Sequence, residues 1–213
     1  MNATIRSRLP TPTPRGKIDG MKNSATIVLA SASPRRSELM SLAGIEFSVA
    51  PADICEDVLP GELPAEHVMR LAREKAQAVS KTTEGRFFIG ADTVVVLDGR
   101  IMGKPIDEAD ALRMLSALSG RTHDVITGFT ILDRENGVCL SRSVRTEVVF
   151  RALDEQEIRD YIASGCPMDK AGAYAIQGRA VHFVRSICGS YTNVIGLPMA
   201  ELYEQLQAML IQQ

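Results

Sequence analysis

The stretch Thr26-Ile-Val-Leu-Ala-Ser-Ala-Ser-Pro-Arg-Arg36 limits what this chain can fold into more than any other. A short apolar run ends in small residues and leads straight into a helix start. Ile27, Val28 and Leu29 predict a buried strand, and Ser31 to Ser33 the tight turn after it. Pro34 suits a first helical turn, where its missing N–H would have had no intrahelical partner. Unpaired N–H groups at that helix start, with the guanidinium groups of Arg35 and Arg36, would seat a phosphate or another polyanion. Taken alone, the two arginines read equally well as solvated surface residues.

Strand and helix patterns keep alternating downstream, which predicts an α/β fold. A helix is expected over 35–43, a short strand near 46–50, then a Pro- and acid-rich loop from Pro51 to Pro64. The helix expected over 65–80 has an apolar seam of Val68, Leu71, Ala72, Ala76 and Val79, and Lys75 lies on it. An inward lysine either carries its ammonium out to water along its stem or meets an anion. Phe87 to Leu97 reads as a nearly continuous apolar strand broken by Asp92. A carboxylate there wants a metal, a cation or a proton to move. Asp98-Gly99 marks a hairpin turn, and a helix opens at Asp107 with Leu112, Leu115 and Leu118 as its seam. Strands over 122–133 and 138–151 flank Glu135-Asn136-Gly137, and Asp154 with Glu157 signals the start of a helix through Ile158, Tyr161 and Ile162. After a polar loop from Met168 to Gly178, strands are expected near 180–187 and 191–195. A last helix from Pro198 would bury Met199, Leu202, Tyr203, Leu206 and Leu210.

Composition bounds the function. A length of 213 residues with 45% hydrophobic and 23% charged side chains suits one sizeable domain, with room for two lobes around a cleft. A net charge of -2 argues against bulk electrostatic binding to nucleic acid or an anionic membrane, so any anion site must be local. No apolar run approaches the roughly 20 residues that span a bilayer. Cys55, Cys139, Cys166 and Cys188 lie far apart, and His67, His123 and His182 lack ligand spacing. That argues against a zinc site or a disulfide framework, reads the histidines as structural, and points to a reducing cytoplasm. Residues 1–24 predict a disordered extension, with an over-called start or an organelle-targeting peptide as alternatives, and 25–213 a single domain.

Arg35, Arg36, Lys75, Lys104 and Lys170 are cations near predicted strand ends or helix starts, and Glu56, Asp92 and Asp169 are acids in comparable places. Such a mixture suits a triphosphate with its divalent metal. The sequence has neither a P-loop motif nor a glycine-rich dinucleotide fingerprint.

Seven segments go further: Ser31-Ala-Ser-Pro-Arg-Arg36, Arg70-Leu-Ala-Arg-Glu-Lys75, Gly90-Ala-Asp-Thr93, Gly103-Lys-Pro105, Leu118-Ser-Gly-Arg-Thr-His123, Asp169-Lys-Ala-Gly-Ala-Tyr-Ala-Ile-Gln-Gly178 and Val194-Ile-Gly-Leu-Pro198. In these, from about Ile27 to the C-terminal helix, the chain resembles the Maf family of nucleoside triphosphate pyrophosphatases. The resemblance implies hydrolysis between the α- and β-phosphates, with Mg²⁺ or Mn²⁺ as cofactor, by a homodimer. It implies a twisted mixed α/β sheet flanked by helices, two lobes around a cleft, similar to the inosine triphosphatase architecture. It makes Asp92 the proton acceptor, a suitable role for a carboxylate aimed at water. Lys75 and Lys104 become catalytic cations, Ser31, Arg35 and Arg36 substrate contacts, and Glu56 with Asp92 the metal ligands. Arg35, Thr93 and Gln177, with the Asp169-Lys170 pair, match the branch acting on dTTP and UTP rather than that acting on 7-methyl-GTP. A Gln amide can pair with both a donor and an acceptor on a pyrimidine edge. The alternatives are 7-methyl-GTP or a modified pyrimidine nucleotide as substrate, or a nucleotide-binding regulator of septum formation. Lys170 could contact substrate or pair with Asp169.

Overall fold

The spine of the computed structural model, which describes residues 26–211, is the long strand β3 (Phe87–Leu97). The extension expected over residues 1–24 lies outside the described residues. In chain order the other elements are β1 (Ile27–Ala30), α1 (Pro34–Leu42), β2 (Ser48–Val49), α2 (Pro64–Ser80), β4 (Arg100–Met102), α3 (Glu108–Leu118), β5 (Thr122–Asp133), β6 (Val138–Phe150), α4 (Glu155–Ala163), β7 (Val184–Cys188), α5 (Tyr191–Ile195) and α6 (Met199–Ile211). The strands form one mixed sheet in the order β2-β1-β3-β5-β6-β7, with β4 paired to β3. β1 runs parallel to β2 and β3, and the remaining pairs are antiparallel. A mixed sheet flanked by helices is the architecture expected.

Alternation along β3 sends its side chains to two faces. Phe88, Val94 and Val96 pack on the α2 side, with Val68, Ala76 and Val79 of that helix. The odd-numbered residues supply the other face, where the core is divided. Phe87, Ile89 and Ala91 join Met40 of α1 and Leu202 and Leu206 of α6, whereas Val95 and Leu97 join Leu115 of α3 and Tyr161 of α4. Thr93 stands where the two bodies meet, and Asp92 beside it faces α2. The partners of β3 change at the same place: β1 pairs with it as far as Gly90, and β4 begins only at Val95. That edge of β3 is therefore without a strand partner from Ala91 to Val94. A crevice beyond the carboxyl end of a parallel strand is where α/β sheets place their ligands.

Four local expectations are corrected. Residues 191–195 form helix α5, not a strand: the Ser190 hydroxyl caps it by accepting from Asn193 N at 3.2 Å, and Gly196 closes it at a φ of 128°. The β-branched Thr192, Val194 and Ile195 suggested extension, but tertiary bonds from the Asn193 amide to Val125 O at 3.0 Å and Thr146 Oγ1 at 2.9 Å hold the turn against the sheet. The strand expected near 180–187 is β7, shifted to Val184–Cys188 and preceded by a 3-10 turn at Gly178–Ala180. Tyr203 is exposed on α6, and Leu112 is only half-buried because the seam of α3 runs through Ala111, Met114, Leu115 and Leu118.

Candidate active site

Lys75 is the hub. Its Nζ lies 2.7 Å from Asp92 Oδ1 and 2.6 Å from Glu56 Oε1, joining α2, β3 and the loop before α2. Lys75 and Asp92 are buried, whereas the Glu56 side chain is 47% exposed. Two glycines make this meeting possible. A Cβ on Gly90 would stand 2.0 Å from Ala72 O, and one on Gly128 would stand 2.4 Å from Val68 O. Gly128 is also directly opposite Asp92 in the β3–β5 ladder. Side chains at either glycine would lift α2 off the sheet, and Lys75 with it. Burial pushes the Glu56 carboxyl up, but its bond to Lys75 and the charges of Lys75, Lys104 and Arg36 outweigh that and hold it below the usual carboxylate range.

Arg36 and Thr93 approach the same gap from the opposite face. Arg36 is buried and donates from Nε to Gly196 O at 2.8 Å, from Nη1 to Ser31 Oγ at 3.1 Å and Ala91 O at 2.9 Å, and from Nη2 to Thr93 Oγ1 at 3.0 Å. Four of the five guanidinium N–H groups thus serve the protein. Arg36 thus braces the open edge of β3 and keeps one Nη2 hydrogen for a ligand. Arg35 is half-buried and makes no hydrogen bond or ion pair among the described residues, yet its charge is felt by Asp169 and Tyr161.

The Thr93 hydroxyl has a defined direction. Besides accepting from Arg36, it lies 2.9 Å from Thr127 Oγ1 and 3.4 Å from Gly196 O, while Thr127 Oγ1 lies 3.1 Å from Asn193 O. Thr127 donates its one hydrogen to Asn193 O, so Thr93 donates to Thr127; with one lone pair taken by Arg36, Thr93 keeps one to offer. Toward the gap Thr93 can only accept.

The remaining candidates are placed unevenly. Lys104 is exposed and near enough for its charge to act on Glu56. Lys170 Nζ donates to Asp169 and to Cys166 O, so this lysine pairs within its own loop. Gln177 is half-buried at the start of the Gly178–Ala180 turn, with no side-chain hydrogen bond among the described residues. His123 is structural as expected: its Nε2 lies 2.7 Å from Tyr174 Oη, and burial lowers its pKa to about 4. Sequence reasoning assigned no role to Arg70, Glu62, Thr127, Gly90 or Gly128. The two glycines inside strands were the readable signal, since such residues mark close backbone approach.

Among the described residues, no three or more His, Cys, Asp or Glu side chains gather as a metal cage. Glu56 and Asp92 are nonetheless joined by one ammonium, and each has a second oxygen with no hydrogen bond among the described residues. Two such carboxylates fit Mg²⁺ or Mn²⁺, hard ions that take one or two carboxylates, water and substrate phosphate.

The family model described as Maf-like protein matches residues 26–209. The dTTP/UTP pyrophosphatase of Geobacter sp. (strain M21) is 61% identical over 189 residues, which cover 89% of this chain and 97% of that protein. The dTTP/UTP pyrophosphatase of Citrifermentans bemidjiense is 60% identical over the same proportions, 89% and 97%. Among solved structures, a HAM1 protein from Coxiella burnetii overlays 59% of this chain and 72% of its own at 21% identity and a TM-score of 0.40.

Proposed function

The chain belongs to the Maf family, and on that premise we propose that it is a dTTP/UTP pyrophosphatase, cleaving these nucleotides to monophosphate and pyrophosphate. The observation that carries the reading is the Lys75 ammonium between Asp92 and Glu56, beside the unpaired edge of β3. A pyrophosphohydrolase needs cations against the phosphates and a carboxylate for the attacking water, and both are present in this gap.

In this reading Glu56 and Asp92 hold the divalent cation, Mg²⁺ or Mn²⁺, which neutralises triphosphate charge when bound. Asp92 is the proton acceptor: Lys75 occupies its Oδ1 and thereby aims the other oxygen at water. Lys75 and Lys104 offset charge developing on the phosphates. Arg35 and the remaining Nη2 hydrogen of Arg36 grip phosphate, with Ser31 supporting them. Thr93 and Gln177, with Arg35, select the base. Residues 25–213 work as one domain, and the enzyme is a cytoplasmic homodimer. No helix among the described residues is long and apolar enough to cross a membrane.

The test is pyrophosphate release from dTTP, UTP, CTP, GTP and 7-methyl-GTP with Mg²⁺ or Mn²⁺. Selective release from dTTP and UTP is expected. Release from 7-methyl-GTP alone would overturn the substrate assignment, and nucleotide binding without release would overturn turnover itself.

A further inference from the structure

Glu56 poses a mechanical problem. Its side chain is nearly half exposed, on a stretch from Pro51 to Leu63 with no helix or strand, yet its carboxylate lies 2.6 Å from a buried lysine. Order in such a loop must come from side-chain bonds.

Those bonds converge on Arg70 of α2 and Glu62 at the loop's end. Arg70 donates from Nε to Glu62 Oε1 at 2.6 Å and from Nη2 to Glu62 Oε2 at 2.9 Å, a two-pronged pair. The same Nη2 donates to the carbonyl of Asp57 at 2.9 Å, next in sequence to Glu56. Glu62 Oε2 also accepts from Leu59 N at 3.2 Å and lies 2.9 Å from His67 Nδ1 on α2. The bonds to Arg70, with burial opposing them, hold the Glu62 carboxyl down at about 2, so it is ionised throughout the neutral range. Apart from these, the loop's hydrogen bonds among the described residues are short-range: Glu62 N to Leu59 O at 3.1 Å, Cys55 Sγ to Asp57 Oδ2 at 3.2 Å, Leu63 N to Glu66 Oε2 at 3.2 Å and His67 N to Leu63 O at 2.9 Å.

We propose that Arg70 and Glu62 are positioning residues that strap the 57–62 loop onto α2 and so deliver the Glu56 carboxylate to Lys75. Arg70 lies five positions before Lys75 on the same helix, so one rigid element carries both the strap and the hub. The proposal rests on the catalytic reading of Glu56. The strap itself can be tested without that reading.

The experiment uses Arg70→Ala and Glu62→Gln in the full chain. Amide hydrogen exchange is measured without ligand, and pyrophosphate release from dTTP with Mn²⁺. The expected result is exchange over residues 54–60 at least about tenfold faster, with unchanged exchange in α2 and β3. kcat should fall about 10- to 100-fold, as when a residue supporting a metal ligand is removed, with KM nearly constant. In a Glu56→Gln background, Arg70→Ala should cause no further fall. Glu62→Gln, which keeps an acceptor oxygen, should show the same pattern more mildly and stands in if Arg70→Ala does not fold. Unchanged loop exchange in both variants overturns the strap, as does an equal further fall in the Glu56→Gln background. If the unaltered chain releases no pyrophosphate from dTTP, the functional reading fails, while the exchange data still decide the strap.

Discussion

The backbone carbonyl of Ala72 lies 2.0 Å from where a Cβ on Gly90 would stand. One hydrogen at that position lets α2 lie on β3, and Lys75 reaches Asp92 only because it does. Gly90→Ala should therefore lift the helix. Overpacking of this kind costs about 1–3 kcal/mol, and displacement of the lysine by a fraction of an ångström should cut turnover roughly tenfold or more. Thermal melting and pyrophosphate release would both register it. Native melting and turnover in this variant would mean that the contact does not seat α2.

Lys75 and Asp92 should fail in different ways. Asp92→Asn keeps the shape and an acceptor for Lys75, so the chain should fold while turnover is abolished. Lys75→Met leaves Asp92 buried without its cation, which costs about 3–5 kcal/mol when one partner of a buried pair is removed. An Asp92→Asn enzyme with normal turnover would remove Asp92 as the base.

Thr93 offers the gap a lone pair and no hydrogen, since its own hydrogen goes to Thr127, whose hydrogen goes to Asn193 O. A base edge carrying an N–H suits it, and one carrying a bare nitrogen does not. Thymine and uracil present N3–H where cytosine presents an acceptor. Thr93→Val should narrow the ratio of kcat/KM for dTTP over CTP, and Thr127→Val should do so more weakly. An unchanged ratio in both variants would take Thr93 out of base selection.

His123 makes stability depend on pH. Unfolded, its imidazole takes a proton near the ordinary 6.5; folded, burial delays this to about 4. The unfolded state binds more protons across that window, so stability should fall as pH drops from 6.5 to 4 and level off below. The full loss is about 3 kcal/mol. Denaturant melts at several pH values should show this slope, and His123→Gln should flatten it.

Individual residues show how far the chain could be read in advance. The periodicity of Val68, Leu71, Ala72, Ala76 and Val79 announced α2, and the interruption of an apolar strand by Asp92 announced a carboxylate in need of a partner, which Lys75 supplies. Lys75 was visible as an inward cation, but its partner was not, because 17 residues and a change of element separate it from Asp92. Arg36 stands beside Arg35 with nothing in the local sequence to tell their surroundings apart. Its four bonds to Ser31, Ala91, Thr93 and Gly196 reach as far as 160 residues along the chain. No local pattern encodes such a brace. Residues 191–195 misled for the same reason, since their β-branched side chains favoured a strand until Asn193 found Val125 and Thr146.

What the sequence by itself determined was the succession of strands and helices, the apolar faces that would be buried, and the residue types available for anion chemistry. These depend on neighbours within a few positions, where alternation, helical spacing and caps act. Tertiary structure alone decided which charges meet, which arginine turns inward, where β3 lies open between β1 and β4, and that Arg70 reaches the loop bearing Glu56. Those outcomes depend on distances through space between residues remote in the chain, and they arise only when the sheet has registered and α2 has come down on its two glycines.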